Sequence, residues 1–204
     1  MTDPSLEMWN GRFAGEDYLF GTAPNALLQA QAYRLRPGQT ALAVADGEGR
    51  NGVFLAEQGL DVLSVDFSGN ALAKARRLPE ARGAALETLQ TDLAHFDWTA
   101  RQFDVVAAIF IQFAAPPLRS RIFAGLRQAL APGGLLLLQG YRPEQLDYGT
   151  GGPPHAENMY TEPLLREAFG DLDILHLESH DSEIVEGTGH AGLSALIDLV
   201  ARKP

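Results

Sequence analysis

The stretch Thr40–Asp66, TALAVADGEGRNGVFLAEQGLDVLSVD, decides the fold. It reads as an apolar strand, a glycine turn, a helix, a second apolar strand and an acid at that strand's end. This is one βαβ unit of the kind that holds a nucleotide-like ligand. Gly47 and Gly49 let the backbone pass close to such a ligand. Asp66 puts a carboxylate where it accepts hydrogen bonds from both ribose hydroxyls.

Outward from this unit, strands and helices alternate. Residues 1–21 are polar, aromatic and irregular, with Trp9, Arg12, Phe13, Tyr18 and Phe20. Such a segment is either a lid over a pocket or an arm packed on the core. A helix follows, with Thr22 as cap and Pro24 in its first turn, and Pro37–Gly38 stop it. Beyond Asp66, Ser68 caps a helix over Asn70–Leu78 that ends near Pro79. Ala84–Gln90 is a third strand. Phe103–Phe110, FDVVAAIF, is a continuous apolar run, the mark of a strand buried on both faces. Pro116–Pro117 begin a long amphipathic helix, and Ala131–Gly134 turn into a strand at Leu135–Gln139.

The tail breaks the alternation. Tyr141–Tyr160 is a long glycine- and proline-bearing loop. Thr161 caps a short helix reaching Phe169. Leu172–Ser179 and Gly192–Ala201 are strands joined by a short polar link. With no helix between them they pair antiparallel, because a parallel pair needs a crossover. The chain is therefore α/β, with a doubly wound and mostly parallel sheet that closes in an antiparallel hairpin.

The 204 residues, 46% of them hydrophobic, suit one domain over 1–204. There is no cysteine, which excludes disulfides, thiolate metal sites and a thiol nucleophile. A net charge of −10 disfavours nucleic acid and anionic membrane surfaces as partners. The start MTDPSLEMWN lacks a basic segment followed by an apolar run, so no signal peptide is expected. Leu135–Leu138, the longest aliphatic run, is too short to cross a bilayer. A cytoplasmic protein that neither enters nor binds a membrane is the expectation. No metal site is expected either: His176 and His180 lie in a strand, where four residues apart do not converge, and His95 precedes a loop.

Two nucleotides compete for the glycine turn. Gly47-Glu48-Gly49-Arg50-Asn51-Gly52 matches G-x-G-x-x-G, which points to an NAD(P)-dependent oxidoreductase or a flavin site. Asp46 argues against it, since an anion beside a pyrophosphate is unfavourable. So does the closing hairpin, which replaces a second βαβαβ half.

As an ordered set, these segments resemble the class I S-adenosylmethionine-dependent methyltransferases. ALAVADGEGRNGVFLAEQG is similar to their first motif and LSVDFS to the segment with the ribose-binding acid. TDL is similar to the segment beside adenine, FDVVAAIF to the fourth strand, and LAPGGLLLL to the turn into the fifth. GEGRN and the aromatic segment WNGRFAGEDYLFGTAPN resemble the tellurite-resistance and thiopurine methyltransferase group, in which an N-terminal arm closes over the cofactor. The resemblance implies a seven-stranded Rossmann-like sheet, an arm over residues 1–23, and a substrate-side loop over 141–160. It also implies an enzyme that moves a methyl group from S-adenosylmethionine to a small-molecule acceptor, leaving S-adenosylhomocysteine. A non-catalytic S-adenosylmethionine binder is the alternative.

Carried over residue by residue, the resemblance puts Ala45, Asp46, Gly47, Gly49, Arg50 and Asn51 beside the cofactor, with Asp66 on the ribose. Phe67 packs on adenine, Asp92 takes its amino group with Leu93 alongside, and Ile109 and Phe110 line the far side. Phe20 belongs to the arm. Arg12 either pairs with the cofactor's carboxylate or makes a surface salt bridge. The chain departs from the pattern at Ala43 and Ala45, where the family has an acid and a glycine. Asp46 either takes over the missing carboxylate's hold on the ammonium or caps the helix after the turn. Tyr141, His155 and Tyr160 are candidates to orient or deprotonate a substrate, with Arg142, Tyr148 and His190 as further pocket candidates.

Overall fold

The computed structural model describes residues 4–204; residues 1–3 of the expected arm lie outside the described residues. Seven strands are formed: β1 Thr40–Val44, β2 Asp61–Asp66, β3 Glu87–Gln90, β4 Phe103–Ile109, β5 Leu130–Tyr141, β6 Asp173–Glu186 and β7 His190–Arg202. Their order in the sheet is β3-β2-β1-β4-β5-β7-β6. β1 to β5 pair parallel with their neighbours, while β7 runs antiparallel to both β5 and β6.

Period-two alternation of side chains divides the core between the two faces. On one face Leu42, Val44, Val106, Ala108, Leu136 and Leu138 meet Ile122, Phe123, Leu126, Leu165 and Phe169. These last five come from α5, Pro116–Ala129, and α7, Glu162–Phe169. On the other face Ala41, Ala43, Val105, Ala107, Leu135 and Leu137 meet Leu27, Leu28, Phe54 and Leu55, from α2, Ala26–Ala30, and α3, Arg50–Glu57. Because both faces are covered, β4 is apolar from Val105 to Ile109, while Asp104 near its start accepts from Thr40 N–H and Oγ–H.

Several boundaries differ from the sequence reading. The segment before Gly21 is not wholly irregular: α1, Pro4–Arg12, is a helix. The second helix is capped by Asn25, whose side chain accepts from Leu27 N–H, and not by Thr22. After Ala30 it passes into a 3-10 turn at Ala32–Arg34. Ser68 does cap α4, Gly69–Arg82, but that helix runs through Pro79 and ends at Gly83 in the left-handed conformation. The loop after β5 holds a short helix, α6, Gln145–Tyr148, and a 3-10 turn at Ala156–Asn158.

The closing strands are longer than the apolar pattern suggested. β7 leaves β5 at the pair Tyr141↔Leu196, yet continues pairing with β6 out to Glu186↔His190. This two-stranded extension projects past the carboxyl end of β5. Its tip is held by the N-terminal segment, where the N–H groups of Thr188 and Gly189 both donate to Leu19 O, at 2.9 and 3.0 Å. Among the described residues, no helix is long and apolar enough to cross a membrane.

Candidate active site

Open parallel sheets bind ligands outside the carboxyl ends of their strands. There the chain forms a cavity of about 380 Å3. Its floor is built by the ends of β1, β2 and β4: Ala45, Asp46 and Gly47 after β1, Asp66 and Phe67 at β2, Ile109 and Phe110 at β4. Asp92 and Leu93, after β3, close one side. The roof is the N-terminal arm, through Trp9, Phe13 and Phe20, together with His190 from the hairpin tip.

The floor is hydrogen-bonded into one unit. Gly47 takes φ +60°, a conformation that favours glycine, and its N–H donates to Asp66 Oδ2 at 2.8 Å. Ser68 N–H donates to Asp66 Oδ1, also at 2.8 Å. Burial raises the Asp66 carboxyl above the usual carboxylate range, and these backbone donors pull it back only in part. Each carboxylate oxygen keeps a lone pair for a further donor.

Asp46 turns back from the cavity toward α3. Its carboxylate accepts from Gly52 N–H at 3.1 Å and from Ser64 Oγ–H at 2.8 Å. It therefore caps the helix after the glycine turn. Burial pushes its pKa up to about 7, against the lowering effect of those two donors. Ala45 and Phe110 both hold positive φ, +47° and +55°. Side chains rarely adopt this region, and both residues line the cavity, a common place for such strain.

The roof is locked at several points. Trp9 stacks on Phe13 at 5.6 Å, and Phe20 meets the His190 ring at 4.4 Å between centroids. Ser68 Oγ donates to Asn10 Oδ1 at 2.6 Å, docking α1 on the start of α4. Lys74 on α4 donates both to Asp17 O at 2.6 Å and to Glu48 Oε1 at 2.7 Å. That ion pair is almost wholly buried, with side chains 4% and 2% exposed. The glycine turn, α4 and the arm thus share one cation.

Comparisons with known proteins agree with this architecture. Residues 41–134 match the family model described as a methyltransferase domain. The matched segment runs from β1 to the turn within β5 and so contains the glycine turn and the strand ends that floor the cavity. Over 106 residues it is 30% identical to an uncharacterized methyltransferase of Synechocystis, a match over 51% of this chain and 48% of that protein. The match thus spans about half the length of that curated relative. The fold is shared with TehB from Haemophilus influenzae, at TM-score 0.72 and 18% identity over 98% of this chain and 67% of that one. It is also shared with the N-methyltransferase NodS from Bradyrhizobium japonicum, in complex with S-adenosylhomocysteine, at TM-score 0.72 and 16% identity over 99% and 100%.

Within this fold, most residues picked from the sequence come together. Phe20, Ala45, Asp46, Gly47, Arg50, Asn51, Asp66, Phe67, Asp92, Leu93, Ile109 and Phe110 all line the cavity. Gly49 does not. A Cβ there would lie 2.9 Å from Ala75 Cα on α4, so this glycine serves helix packing and not approach to a ligand. Arg12 is also outside the lining. Its guanidinium lies over Trp9 at 4.7 Å and near Phe20 at 5.7 Å, bracing the roof from behind.

The acceptor-side candidates fare differently. No residue of 141–160 lines the cavity. Tyr160 is fully buried in the core against Phe123. His155 is exposed. Tyr141 lies under the cavity, with its ring on Phe110 at 4.7 Å, and burial raises its hydroxyl far above the ordinary tyrosine range. Arg142 and Tyr148 both bond to Asp181 at the surface. His190 is the pocket residue among them. Trp9, Phe13, Phe113 and Leu118 line the cavity as well. The spacing of Trp9 and Phe13, one helical turn apart, is the signal that makes the arm a helix with one aromatic face.

Proposed function

We propose that the chain transfers a methyl group from S-adenosylmethionine to a small-molecule acceptor. The observation that carries this reading is the Gly47–Asp66 unit on the cavity floor beneath an aromatic roof. In this reading Asp66 accepts from the ribose hydroxyls, Phe67 and Leu93 flank the adenine, and Asp92 accepts from its amino group. Bound S-adenosylmethionine supplies an electrophilic methyl on a sulfonium, with a good leaving group already in place. The protein's task is then to position the acceptor in line and to exclude water. Trp9, Phe13 and Phe20 perform that exclusion. A net charge of −10 suits a cationic cofactor and a small acceptor better than a nucleic acid.

A dinucleotide fits this floor less well. The donors at the start of α3 are what a pyrophosphate needs, and Gly52 N–H is already taken by the Asp46 carboxylate. Arg50, the nearby cation, is committed to Glu186 at 2.7 Å.

Thermal-shift measurements with S-adenosylhomocysteine and with NAD(P)H separate these readings. Stabilisation by S-adenosylhomocysteine alone is expected, and stabilisation by NAD(P)H alone overturns the proposal. Transfer of labelled methyl to a panel of small acceptors then separates an enzyme from a binder.

A further inference from the structure

His190 opens β7 at the tip of the hairpin extension and faces the cavity. Its Nδ1 lies 3.5 Å from Glu186 Oε2, directly across the hairpin. That carboxylate is held from two other directions. Arg50 Nη2 donates to Oε2 at 2.7 Å, and Asn25 Nδ2 donates to Oε1 at 2.9 Å. Asn25 is itself fixed, because its Nδ2 also donates to Gln139 Oε1 at 2.6 Å. Three groups from different elements thus converge on one carboxylate, and that carboxylate faces one imidazole.

The ring sits in an aromatic box. Phe20 lies 4.4 Å from it, Phe110 4.6 Å and Tyr141 5.7 Å, centroid to centroid. With Nδ1 turned to Glu186, Nε2 is the nitrogen left for the cavity. A carboxylate facing Nδ1 favours the Nδ1–H tautomer, which puts a lone pair on Nε2.

We propose that His190, oriented by Glu186, is the general base of the methyl transfer, and that the acceptor is a neutral hydroxyl or thiol on an apolar body. This rests on the methyltransferase reading. The acceptor oxygen or sulfur forms the new bond to the methyl carbon as the carbon–sulfonium bond breaks. That bond pair stays on the departing sulfur, which becomes the neutral thioether of S-adenosylhomocysteine. The acceptor's proton passes to His190 Nε2, its bond pair staying on the acceptor, and Glu186 stabilises the imidazolium. The proton leaves to water once the product departs.

The charges around the ring suit this role. Burial lowers the His190 pKa below its ordinary value, and Arg50 on α3 and Arg12 on α1 act in the same direction. Glu186 on β6 opposes them only in part, and the Tyr141 hydroxyl on β5 stays neutral. His190 is therefore unprotonated, and able to accept a proton, at neutral pH. Burial raises Glu186, but His190 and Arg50 more than offset this and hold it at about 2, so it is ionised throughout.

The test uses the full chain, labelled with 15N, with S-adenosylhomocysteine bound. Two-bond proton–nitrogen spectra across the neutral range report each of the five histidines, and His190→Gln assigns the signal. The expected result is a neutral Nδ1–H tautomer at pH 7 that loses its preference in Glu186→Gln. An Nε2–H tautomer or an imidazolium at pH 7 overturns the proposal. Labelled methyl transfer supplies the second arm, with phenol and benzyl mercaptan as protic probes and pyridine as an acceptor that loses no proton. His190→Gln is expected to slow the protic probes by roughly 10²–10⁴-fold more in kcat than it slows pyridine. An equal loss on all three, or none on the protic pair, overturns the proposal. The spectra decide alone if no probe is turned over. Calorimetry on the same samples keeps the failures apart: unbound S-adenosylhomocysteine removes the methyltransferase reading, whereas bound cofactor with the wrong tautomer removes only the base.

Discussion

The Asp46 carboxylate occupies the space that a side chain at Gly52 would need: a Cβ on Gly52 would lie 2.4 Å from Asp46 Oδ2. The third glycine of the G-x-G-x-x-G match therefore makes room for a buried acid, not for a pyrophosphate. Its N–H donates to the same carboxylate, so the pair closes the turn as one element. A methyl group at 52 is expected to destabilise the fold by about 1–3 kcal/mol. In an Asp46→Ala background the same Gly52→Ala change is expected to cost less, because its main clash has gone. A urea double-mutant cycle measures the coupling.

Asp46 also gives the stability a pH dependence of definite sign. Its pKa is about 7 in the folded chain against 3.8 for an ordinary aspartate. The folded state thus holds its proton more tightly than the unfolded state. The resulting stabilisation is full below pH 3.8 and is lost as pH rises through about 7. The whole change is on the order of 4 kcal/mol. Urea titrations of wild type and Asp46→Asn between pH 4.5 and 8 are expected to show this loss in wild type alone.

Ala45 stands where the family pattern has glycine, and its φ of +47° shows what that glycine avoids. Left-handed backbone costs an alanine roughly 1–2 kcal/mol. Glycine removes that cost but adds about 0.5–1 kcal/mol of unfolded-state entropy. Ala45→Gly is therefore expected to stabilise the chain slightly, read as a higher urea midpoint at unchanged slope.

The buried Glu48–Lys74 pair joins the glycine turn to α4 and, through Asp17 O, to the arm. Lys74→Met strands a buried carboxylate and is expected to cost about 3–5 kcal/mol. Glu48→Gln with Lys74→Met is expected to recover much of that loss. The recovery should not extend to the arm: limited proteolysis near Asp17 and Tyr18 is expected to stay faster in the double variant, because Lys74 no longer holds Asp17 O.

The strands were legible in the sequence because burial on both faces leaves no choice of residue. FDVVAAIF and LLLL read as strands for that reason, and they formed β4 and β5. The floor was legible because a glycine turn and a strand-ending acid are local features. What stayed hidden depends on distant partners. The arm reads as irregular, yet α1 forms where Asn10 meets Ser68 and Trp9 stacks on Phe13 over the cavity. The sequence HDSEIVEG reads as a polar link, yet it pairs as strand because Leu19 O holds the hairpin tip. That pairing brings Glu186 and His190 together, so the dyad has no signal in local spacing. Pro79 reads as a stop, but α4 continues through it to the capping Gly83.

The central claim is that the Gly47–Asp66 unit holds the ribose of S-adenosylmethionine. Calorimetric titration of S-adenosylhomocysteine into wild type and Asp66→Asn tests it most directly. One site per chain is predicted for wild type. Replacing the carboxylate removes charge-assisted hydrogen bonds worth about 1.5–3 kcal/mol, so a loss of roughly 10- to 100-fold in affinity is predicted for Asp66→Asn. Equal affinity in the two proteins, or no binding to wild type while NAD(P)H binds, would contradict the account.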